Sequence, residues 1–396
     1  MKKTTIALGL LIAASCGFAQ NKEIHFEKTT FADIKAKAKK ENKLIFIDAY
    51  TSWCGPCKMM AKTTFTNDTV ADYFNDKLIN AKIDMEKGEG PEIGKLYDVH
   101  CYPNLLIIDG DGKLVHRGAG MKDAQQFIAF AKTAADPQKR FSRFTDEFAA
   151  KKTDPAFLLD YVEAMERSCL SGTEVLKDYF NTQKDDQLTN RMNWNAIREY
   201  SNDYKSREFT YVLTNIDAYK KLYTADSVEN KVKGVLIDSG YPFIYKKDAK
   251  DEEYAAYIND IRKLRFSGMD EVLFTLDLAY LMKKAEWQKY TDLALAKGDK
   301  FYSTAEDFNN VSWNIYEHSD DKAALSKAEG WMQKAIKEQP GNWAYQDTYA
   351  AVLYKLKKKT EAKAAASKAI EIAKSEGANP EDYKPTSELL EQIEKL

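Results

Sequence analysis

Cysteine is scarce in this 396-residue chain, which has five cysteines and only four histidines. So few cysteines in a chain of this length exclude a small domain stapled together by disulfides. The formal net charge is only −2, and basic and acidic side chains are interspersed, so no basic patch for nucleic acid is expected. The cysteines are therefore better candidates for chemistry than for structural crosslinks.

Long apolar runs are also missing, apart from one at the N-terminus. The stretch 6–14 follows two lysines, is too short to span a membrane, and is followed by small residues. We predict a bacterial-style signal peptide over 1–19, cleaved after Ala19, and a soluble periplasmic or secreted product. Cys16 leaves lipoprotein processing open as an alternative, although Ala13 stands where a leucine is expected.

A pair of cysteines lies where an apolar run gives way to a helical pattern. The run 44–50 predicts a buried strand, and Trp53-Cys54-Gly55-Pro56-Cys57 follows it directly. Cys54 is thereby placed near a helix N-terminus, where free N–H groups and the helix dipole favour a thiolate over a thiol. This spacing predicts a reversible Cys54–Cys57 dithiol/disulfide pair, with Cys54 as the attacking sulfur.

Helices and short apolar strands alternate around this motif, which predicts an α/β domain whose sheet is parallel at first and antiparallel at its end. The predicted elements, in order, are a helix over 31–40, a strand over 44–50, a helix over 58–74, a strand over 78–84, a short helix over 91–97, two strands joined by a turn at 110–113, and a helix over 123–134.

Further residues stand in the order and spacing that one family shares. Asp48 lies six residues before Cys54, Lys82 lies in the next apolar strand, Tyr102-Pro103 precedes another strand, and Gly118 follows the hairpin. With the cysteine motif, these residues make 20–136 resemble the thioredoxin family. The resemblance implies the thioredoxin fold, a buried Asp48 accompanied by a buried Lys82, a cis Pro103, and Gly118 in the loop beside the active site.

The resemblance also implies a role for each group. Cys54 attacks a substrate disulfide, and Cys57 resolves the mixed disulfide. The desolvated Asp48, accompanied by Lys82, takes the proton from Cys57. The backbone of Tyr102 holds an extended peptide beside the cis Pro103, and Trp53 supplies a flat apolar wall.

The predicted function is that of an exported thiol–disulfide oxidoreductase that reduces or isomerises disulfides in proteins. The Gly-Pro dipeptide between the cysteines resembles the reducing members of the family. A reductase outside the cytoplasm needs electrons from a transmembrane thiol carrier, which the resemblance implies as a partner. No cofactor or metal is expected.

Alternative interpretations of these side chains remain at this point. A zinc site would need ligands beyond Cys54 and Cys57, and His100 and Cys101 are the candidates. His100 alone is expected to be a loop or core histidine. Cys101 is expected to be a buried thiol or a third reactive thiol, and Cys169 a buried thiol at the end of a helix.

Glycine and proline become scarce beyond Pro137, and helical periodicity continues to the C-terminus. We predict a helical region without an assigned family over 137–300. Over 301–396, Lys334-Ala335-Ile336 recurs 34 residues later as Lys368-Ala369-Ile370, a period that resembles the tetratricopeptide repeat. This region either binds a protein partner or only packs as helices. The second function that remains open is a binding or assembly protein with a vestigial redox site.

Overall fold

The computed structural model describes residues 22–396. The predicted signal peptide, its cleavage site and Cys16 lie outside the described residues. Across residues 22–396, none of the helices combines the length and the apolar character needed to cross a membrane. The chain divides into two compact units, one ending at Ser201 and the other covering Asn202–Leu396. Each unit is described by itself.

A four-stranded sheet forms the centre of the first unit. Its strands are β1 (Leu44–Tyr50), β2 (Leu78–Asp84), β3 (Asn104–Ile108) and β4 (Leu114–Ala119), in the order β2-β1-β3-β4. β1 runs parallel to β2 and antiparallel to β3, and β4 is antiparallel to β3. The predicted α/β domain, parallel at first and antiparallel at its end, is confirmed.

Helices surround this sheet and then extend beyond it. Those that precede or interleave with the strands are α1 (Phe31–Glu41), α2 (Gly55–Thr63), α3 (Asp68–Lys77) and α4 (Gly90–Leu96), and α5 (Ala124–Ala135) comes directly after β4. Those that follow are α6 (Phe141–Glu147), α7 (Pro155–Glu166), α8 (Thr173–Asn181), a 3₁₀ turn (Asp185–Gln187) and α9 (Arg191–Tyr200).

The single helix predicted over 58–74 is wrong, because two helices occupy that stretch. The side chain of Asn67 accepts hydrogen bonds from the backbone N–H groups of Thr69 and Val70, and so caps the start of α3. An asparagine in this role begins a new helix by satisfying N–H groups that have no partner inside it. Because of this break, α2, which carries the cysteine motif, is a separate helix from α3.

Two apolar clusters cover the two faces of the sheet, as the alternation of strand side chains requires. One contains Phe46, Phe74 and Phe127, and the last two stack with their ring centroids 4.1 Å apart. The other contains Ile45 and Ile47 from the same strand. These clusters hold β1 rigidly, and β1 ends directly before the cysteine motif.

The second unit is helical throughout its described length, which confirms the all-helical C-terminal region. Its helices are α10 (Arg207–Thr214), α11 (Ile216–Tyr223), α12 (Ala225–Tyr245), α13 (Asp251–Ile261), α14 (Met269–Lys283), α15 (Trp287–Phe301), α16 (Ala305–His318), α17 (Lys322–Glu338), α18 (Trp343–Lys355), α19 (Lys359–Ser375) and α20 (Lys384–Glu394).

Small residues mark the closest helix contacts in this unit. Ala328 and Ala362, which are 34 residues apart, are both fully buried, in α17 and α19 respectively. In α15, a β-carbon at Gly298 would lie 2.7 Å from a ring atom of Tyr302 and 2.9 Å from Trp331. α17 packs on α16, and α19 packs on α18. The resemblance of these pairs to the tetratricopeptide repeat stays a prediction.

Candidate functional site

Cys54 and Cys57 lie at the N-terminus of α2 and are joined by a disulfide, with their Cα atoms 5.3 Å apart. Cys54 is the N-cap residue, and its Sγ accepts a hydrogen bond of 3.1 Å from the backbone N–H of Cys57. Pro56 fits the first turn because a backbone N–H has no helical partner there. The helix start therefore supplies the electrostatic setting that stabilises a thiolate on Cys54.

Asp48 lies inside the sheet and is only 1% exposed. It is directly opposite Lys82 in the parallel β1–β2 pair, and Lys82 Nζ is 3.3 Å from Asp48 Oδ2. Apart from this ion pair, neither carboxylate oxygen has a hydrogen-bond partner among the described residues. Burial raises the pKa of Asp48 to about 6, and the Lys82 ammonium opposes that rise.

Lys82 is less buried than the resemblance implies, since its side chain is 28% exposed. Its ammonium lies 4.8 Å from the ring centroid of Tyr50 and 5.5 Å from that of Phe65. Aromatic faces attract a cation that is partly removed from water. The ammonium is thus held between these rings and Asp48, with a path to solvent.

Trp53 and Tyr102 form an aromatic pair beside the disulfide. Their ring centroids are 5.8 Å apart and the rings meet edge to face. Trp53 is 65% exposed, and its Nε1–H donates a 2.9 Å hydrogen bond to Glu86. Glu86 was missed from the sequence, because nothing in its local pattern distinguishes it from other surface carboxylates.

The Tyr102–Pro103 peptide bond is cis. Pro103 directly precedes β3, and the pairing of Ala49 with Asn104 places it at the same edge of the sheet as the end of β1. The cysteine motif follows that end of β1. The sheet therefore brings Asp48, the Cys54–Cys57 pair and the cis proline to one region of the first unit.

Gly118 lies within β4, buried and in register with Leu105, and not in the loop itself. Gly120 is the residue that contacts the proline segment, since its N–H donates a 2.9 Å hydrogen bond to Pro103 O. Gly120 has φ +78°, a conformation that glycine adopts without steric cost. Sequence reasoning missed it because the family pattern was matched to Gly118, two residues earlier.

Cys101 and Cys169 form a second disulfide. The predictions of a buried or reactive thiol at Cys101 and of a buried thiol at Cys169 are therefore wrong, and this pair is a crosslink. Cys169 is exposed and Cys101 half-buried. Cys169 follows α7, whose end is joined to β4 by a hydrogen bond from Ala119 N–H to Arg167 O. The two cysteines are 68 residues apart in sequence, and the hydrogen bond between β4 and the end of α7 brings their segments together.

This second disulfide also bears on the zinc alternative, since it engages the sulfur of Cys101. His100 is exposed, and its Nε2 lies 2.7 Å from a carboxylate oxygen of Asp98. Within residues 22–396, no cluster of three or more histidine, cysteine or carboxylate side chains has the arrangement of a metal site.

The second unit contains a cavity of about 850 Å³ among its helices. Its lining combines aromatic rings, including Trp313 and Trp343, with asparagine side chains such as Asn309 and Asn314. Its volume falls in the range of small-molecule sites, and polar groups among aromatic rings can orient a ligand.

Comparisons with known proteins agree with the family that the residues of this site resemble. A thioredoxin family model matches residues 24–133. A thioredoxin-like protein of Synechocystis is 32% identical over 101 residues, which are 26% of this chain and 90% of the relative. A protein disulfide-isomerase of Datisca glomerata is 25% identical over 111 residues, 28% of this chain. The chain spans only 21% of that isomerase's length.

Among solved structures, that of a putative disulphide-isomerase from Bacteroides thetaiotaomicron is 44% identical to this chain. The match covers 30% of this chain and 98% of that one, with a TM-score of 0.28. The family model matches residues of the first unit. Through residues 24–133 and their Cys54–Cys57 pair, the chain belongs to the thioredoxin family of thiol–disulfide oxidoreductases.

Proposed function

We propose that this protein is an exported protein-disulfide reductase or isomerase. In the reaction, the Cys54 thiolate attacks a substrate disulfide, a mixed disulfide forms, and one substrate thiolate leaves. Cys57 then attacks Cys54 Sγ, which releases the second substrate thiol and leaves the Cys54–Cys57 disulfide. The observation that carries the proposal is the cysteine pair itself, closed across the N-terminus of α2.

The proposed roles of the other residues rest on the geometry around that pair. Asp48, with a pKa of about 6, can accept the proton of Cys57 near neutral pH, and the partly exposed Lys82 ammonium beside it links Asp48 to solvent. The cis Tyr102–Pro103 bond and the exposed Trp53 ring form a surface suited to an extended peptide. Gly120, which donates to Pro103 O, supports this surface, and Gly118 lies two residues before it in β4.

Insulin reduction tests the catalytic proposal. The wild-type protein should reduce insulin with a thiol donor, and Cys54→Ser should abolish the activity. Equal activity of the two proteins would remove the enzyme assignment. A Cys57→Ser variant should accumulate mixed disulfides with protein substrates in the native secretome, and this trapping identifies the substrates.

The export proposal is supported by the N-terminal sequence pattern, and it implies a membrane thiol carrier that returns electrons to the cysteine pair. Sequencing the N-terminus of the protein recovered from the periplasm or the medium should give Gln20 as the first residue. A product that begins at Met1 would contradict export through this signal, and one that begins at a lipidated Cys16 would indicate the lipoprotein alternative.

A second candidate function is protein binding by the helical unit, and the aromatic cavity of about 850 Å³ favours it. Under this proposal, the unit recruits a partner and the repeat-like pairs α16–α17 and α18–α19 form its framework. Affinity capture with wild-type protein and a Trp313→Ala variant tests it. A partner retained by the wild type and lost from the variant supports binding at the cavity.

A further inference from the structure

A second cavity, of about 520 Å³, lies within the first unit against strand β4. Its walls come from α5 and β4 of the family domain and from α6 and α7, which follow that domain. The thioredoxin family match ends at residue 133. The residues of α6 and α7 that close this cavity therefore lie beyond the family match.

Basic side chains outnumber acidic ones around this cavity, which we call the β4 cavity. The basic side chains that face it or rim it are those of Lys122, Lys139, Arg143 and Arg167. The acidic ones are Asp160 and Glu163. Arg117 also lines the cavity, but its guanidinium donates to the carbonyl oxygens of Tyr97 and Asp98.

These cations are only partly neutralised by the protein. Arg167 forms an ion pair with Glu163, and Lys139 forms one with Asp136. Lys122 Nζ donates only to the backbone oxygen of Ala119, at 3.2 Å. Burial, and then the nearby Arg167 charge, lower the pKa of Lys122. Lys122 is half-buried, whereas the Arg167 side chain at the rim is 77% exposed. Two neighbouring cations that repel each other are stabilised by an anion between them.

Two further donors lie in the same cavity. His116 Nδ1 accepts the backbone N–H of Phe141, so its other ring nitrogen, Nε2, carries the proton of the neutral ring. Arg143 Nε is buried and has no hydrogen-bond partner among the described residues. A carboxylate, which accepts through two oxygens, matches donors of this kind.

The β4 cavity is connected to the redox site through a few residues. Arg167 O accepts from Ala119 N–H, and the next residue, Gly120, donates to Pro103 O. Two residues beyond Arg167, Cys169 is disulfide-bonded to Cys101, which lies two residues before Pro103. The second disulfide thus fixes Arg167 beside the proline segment that is proposed to hold the substrate.

We propose that the β4 cavity binds a carboxylate of the substrate, so that the enzyme prefers disulfides flanked by acidic residues. This inference rests on the proposed disulfide-reducing function and names a substrate class for the same site. The carboxylate is a glutamate or aspartate side chain, or a chain terminus, of the bound peptide. Arg167 and Lys122 are its principal ligands, with His116 and Arg143 as additional donors.

The test compares two synthetic peptides that contain the same disulfide and differ only by glutamate or glutamine at flanking positions. The wild-type enzyme should reduce the glutamate peptide with a kcat/KM about tenfold higher, as one charge-assisted contact allows. The ratio of the two rates should fall toward 1 in Arg167→Gln and, separately, in Lys122→Met. The matched control is Lys132→Gln, an exposed lysine of α5 outside the cavity, which should keep the wild-type ratio.

Separate outcomes distinguish this inference from the function on which it rests. If both peptides are reduced equally by the wild type, the carboxylate preference is wrong and the reductase proposal stands. If neither is reduced, the reductase proposal fails. Calorimetric titration of the oxidised wild type with succinate tests whether the cavity binds a free carboxylate. Succinate binding together with equal rates for the two peptides would mean a site for a free anion and would overturn the inference. A Cys101→Ser/Cys169→Ser protein should also lose part of the glutamate preference.

Discussion

Asp48 is the residue whose environment most affects the proposed chemistry. Its carboxyl is removed from water and paired with Lys82 alone among the described residues, and its pKa rises to about 6. A carboxyl with this pKa gains and loses its proton in the pH range in which thiol–disulfide exchange takes place. The same desolvation makes the ionised form costly to the folded state, so one side chain has both a kinetic and a thermodynamic consequence.

The kinetic consequence concerns the second half of the reaction. In Asp48→Asn, the group that would accept the proton of Cys57 is absent, so resolution of the mixed disulfide should slow about tenfold or more. Formation of the mixed disulfide by Cys54 should slow less. Rapid-mixing experiments with a fluorescent disulfide peptide measure both steps. The opposite ordering would show that Asp48 is not the proton acceptor.

The thermodynamic consequence is a pH-dependent stability of the oxidised protein. Between about pH 4 and pH 6 the unfolded chain ionises Asp48 while the folded chain keeps it protonated, so Asp48 makes folding less favourable as pH rises. The full penalty, about 3 kcal/mol, is present above pH 6. Asp48→Asn should therefore gain stability over the wild type at pH 7 and little at pH 4.

Guanidinium unfolding at pH 4 and pH 7 measures this difference. The exposed Asp186→Asn serves as the control, because its side chain is in contact with water in the folded protein. A gain of equal size at both pH values would mean that the effect comes from packing and not from the charge.

At the residue scale, the sequence was enough to locate the residues of the family pattern but not to predict the contacts of the residues around them. Cys54, Cys57, Asp48 and Pro103 could be located because spacing within the motif defines them. The Cys101–Cys169 disulfide could not, since it depends on a contact between segments 68 residues apart. Periodicity within either segment carries no information about such a contact.

At the level of elements, the second disulfide holds α7 to the family domain. His116 Nδ1 on β4 accepts the Phe141 N–H at the start of α6, and Ala119 N–H donates to Arg167 O near the end of α7. These contacts attach both ends of the α6–α7 segment to one edge strand. An edge strand that is covered in this way does not offer its free N–H and C=O groups to other chains.

Replacing both Cys101 and Cys169 with serine should lower the free energy of unfolding by about 2–4 kcal/mol. The crosslink closes a loop with a sequence separation of 68, which restricts the unfolded chain. Guanidinium unfolding of the oxidised variant, with Cys54 and Cys57 intact, provides the measurement. An unchanged midpoint would show that the disulfide does not form in solution.

A close helix contact in the second unit gives a prediction with a matched control. Gly298→Ala should destabilise this unit by about 1–3 kcal/mol, because the added methyl group would overlap Tyr302 and Trp331. Gly330→Ala, in α17, meets no atom within 4 Å and should stabilise by up to about 1 kcal/mol through helix propensity. Thermal unfolding of both variants is the measurement, and equal shifts would contradict the packing argument.

The sequence predicted the existence of most of these elements better than their limits. Apolar residues at helical spacing also run through 211–222, where the structure has two helices, α10 and α11, divided at Asn215, just as the pattern over 58–74 is divided at Asn67. In each case apolar periodicity continues across the break, so the pattern alone predicts one helix. The interruption depends on a polar residue that ends or begins a helix.

At the scale of the whole molecule, the first unit contains everything that the proposed reaction needs. The cysteine pair, Asp48, the cis proline, both apolar clusters and the second disulfide all lie before Ser201. The sequence predicted an α/β part followed by a helical part from the change in composition near Pro137. It could not predict that α6 to α9 share a compact unit with the sheet, because hydrogen bonds such as Ala119–Arg167 depend on tertiary packing. The domain limits at 136 and 300 stay predictions.

The first unit should therefore fold and function without the second. A protein consisting of residues 22–201 should unfold cooperatively and should reduce insulin at a rate within about threefold of the full chain. Circular dichroism melting and the insulin assay check this expectation. A truncated protein that folds but has lost its activity would assign a catalytic contribution to residues 202–396.

The bond between Cys101 and Cys169 has a consequence for any backbone cleavage between these two positions. A single proteolytic cut there leaves two polypeptides that migrate together on a gel without reductant and separate once reductant is added. Limited digestion of the protein recovered from cells, followed by electrophoresis with and without reductant, therefore reports the oxidation state of this bond. The readout is independent of turnover at Cys54 and Cys57.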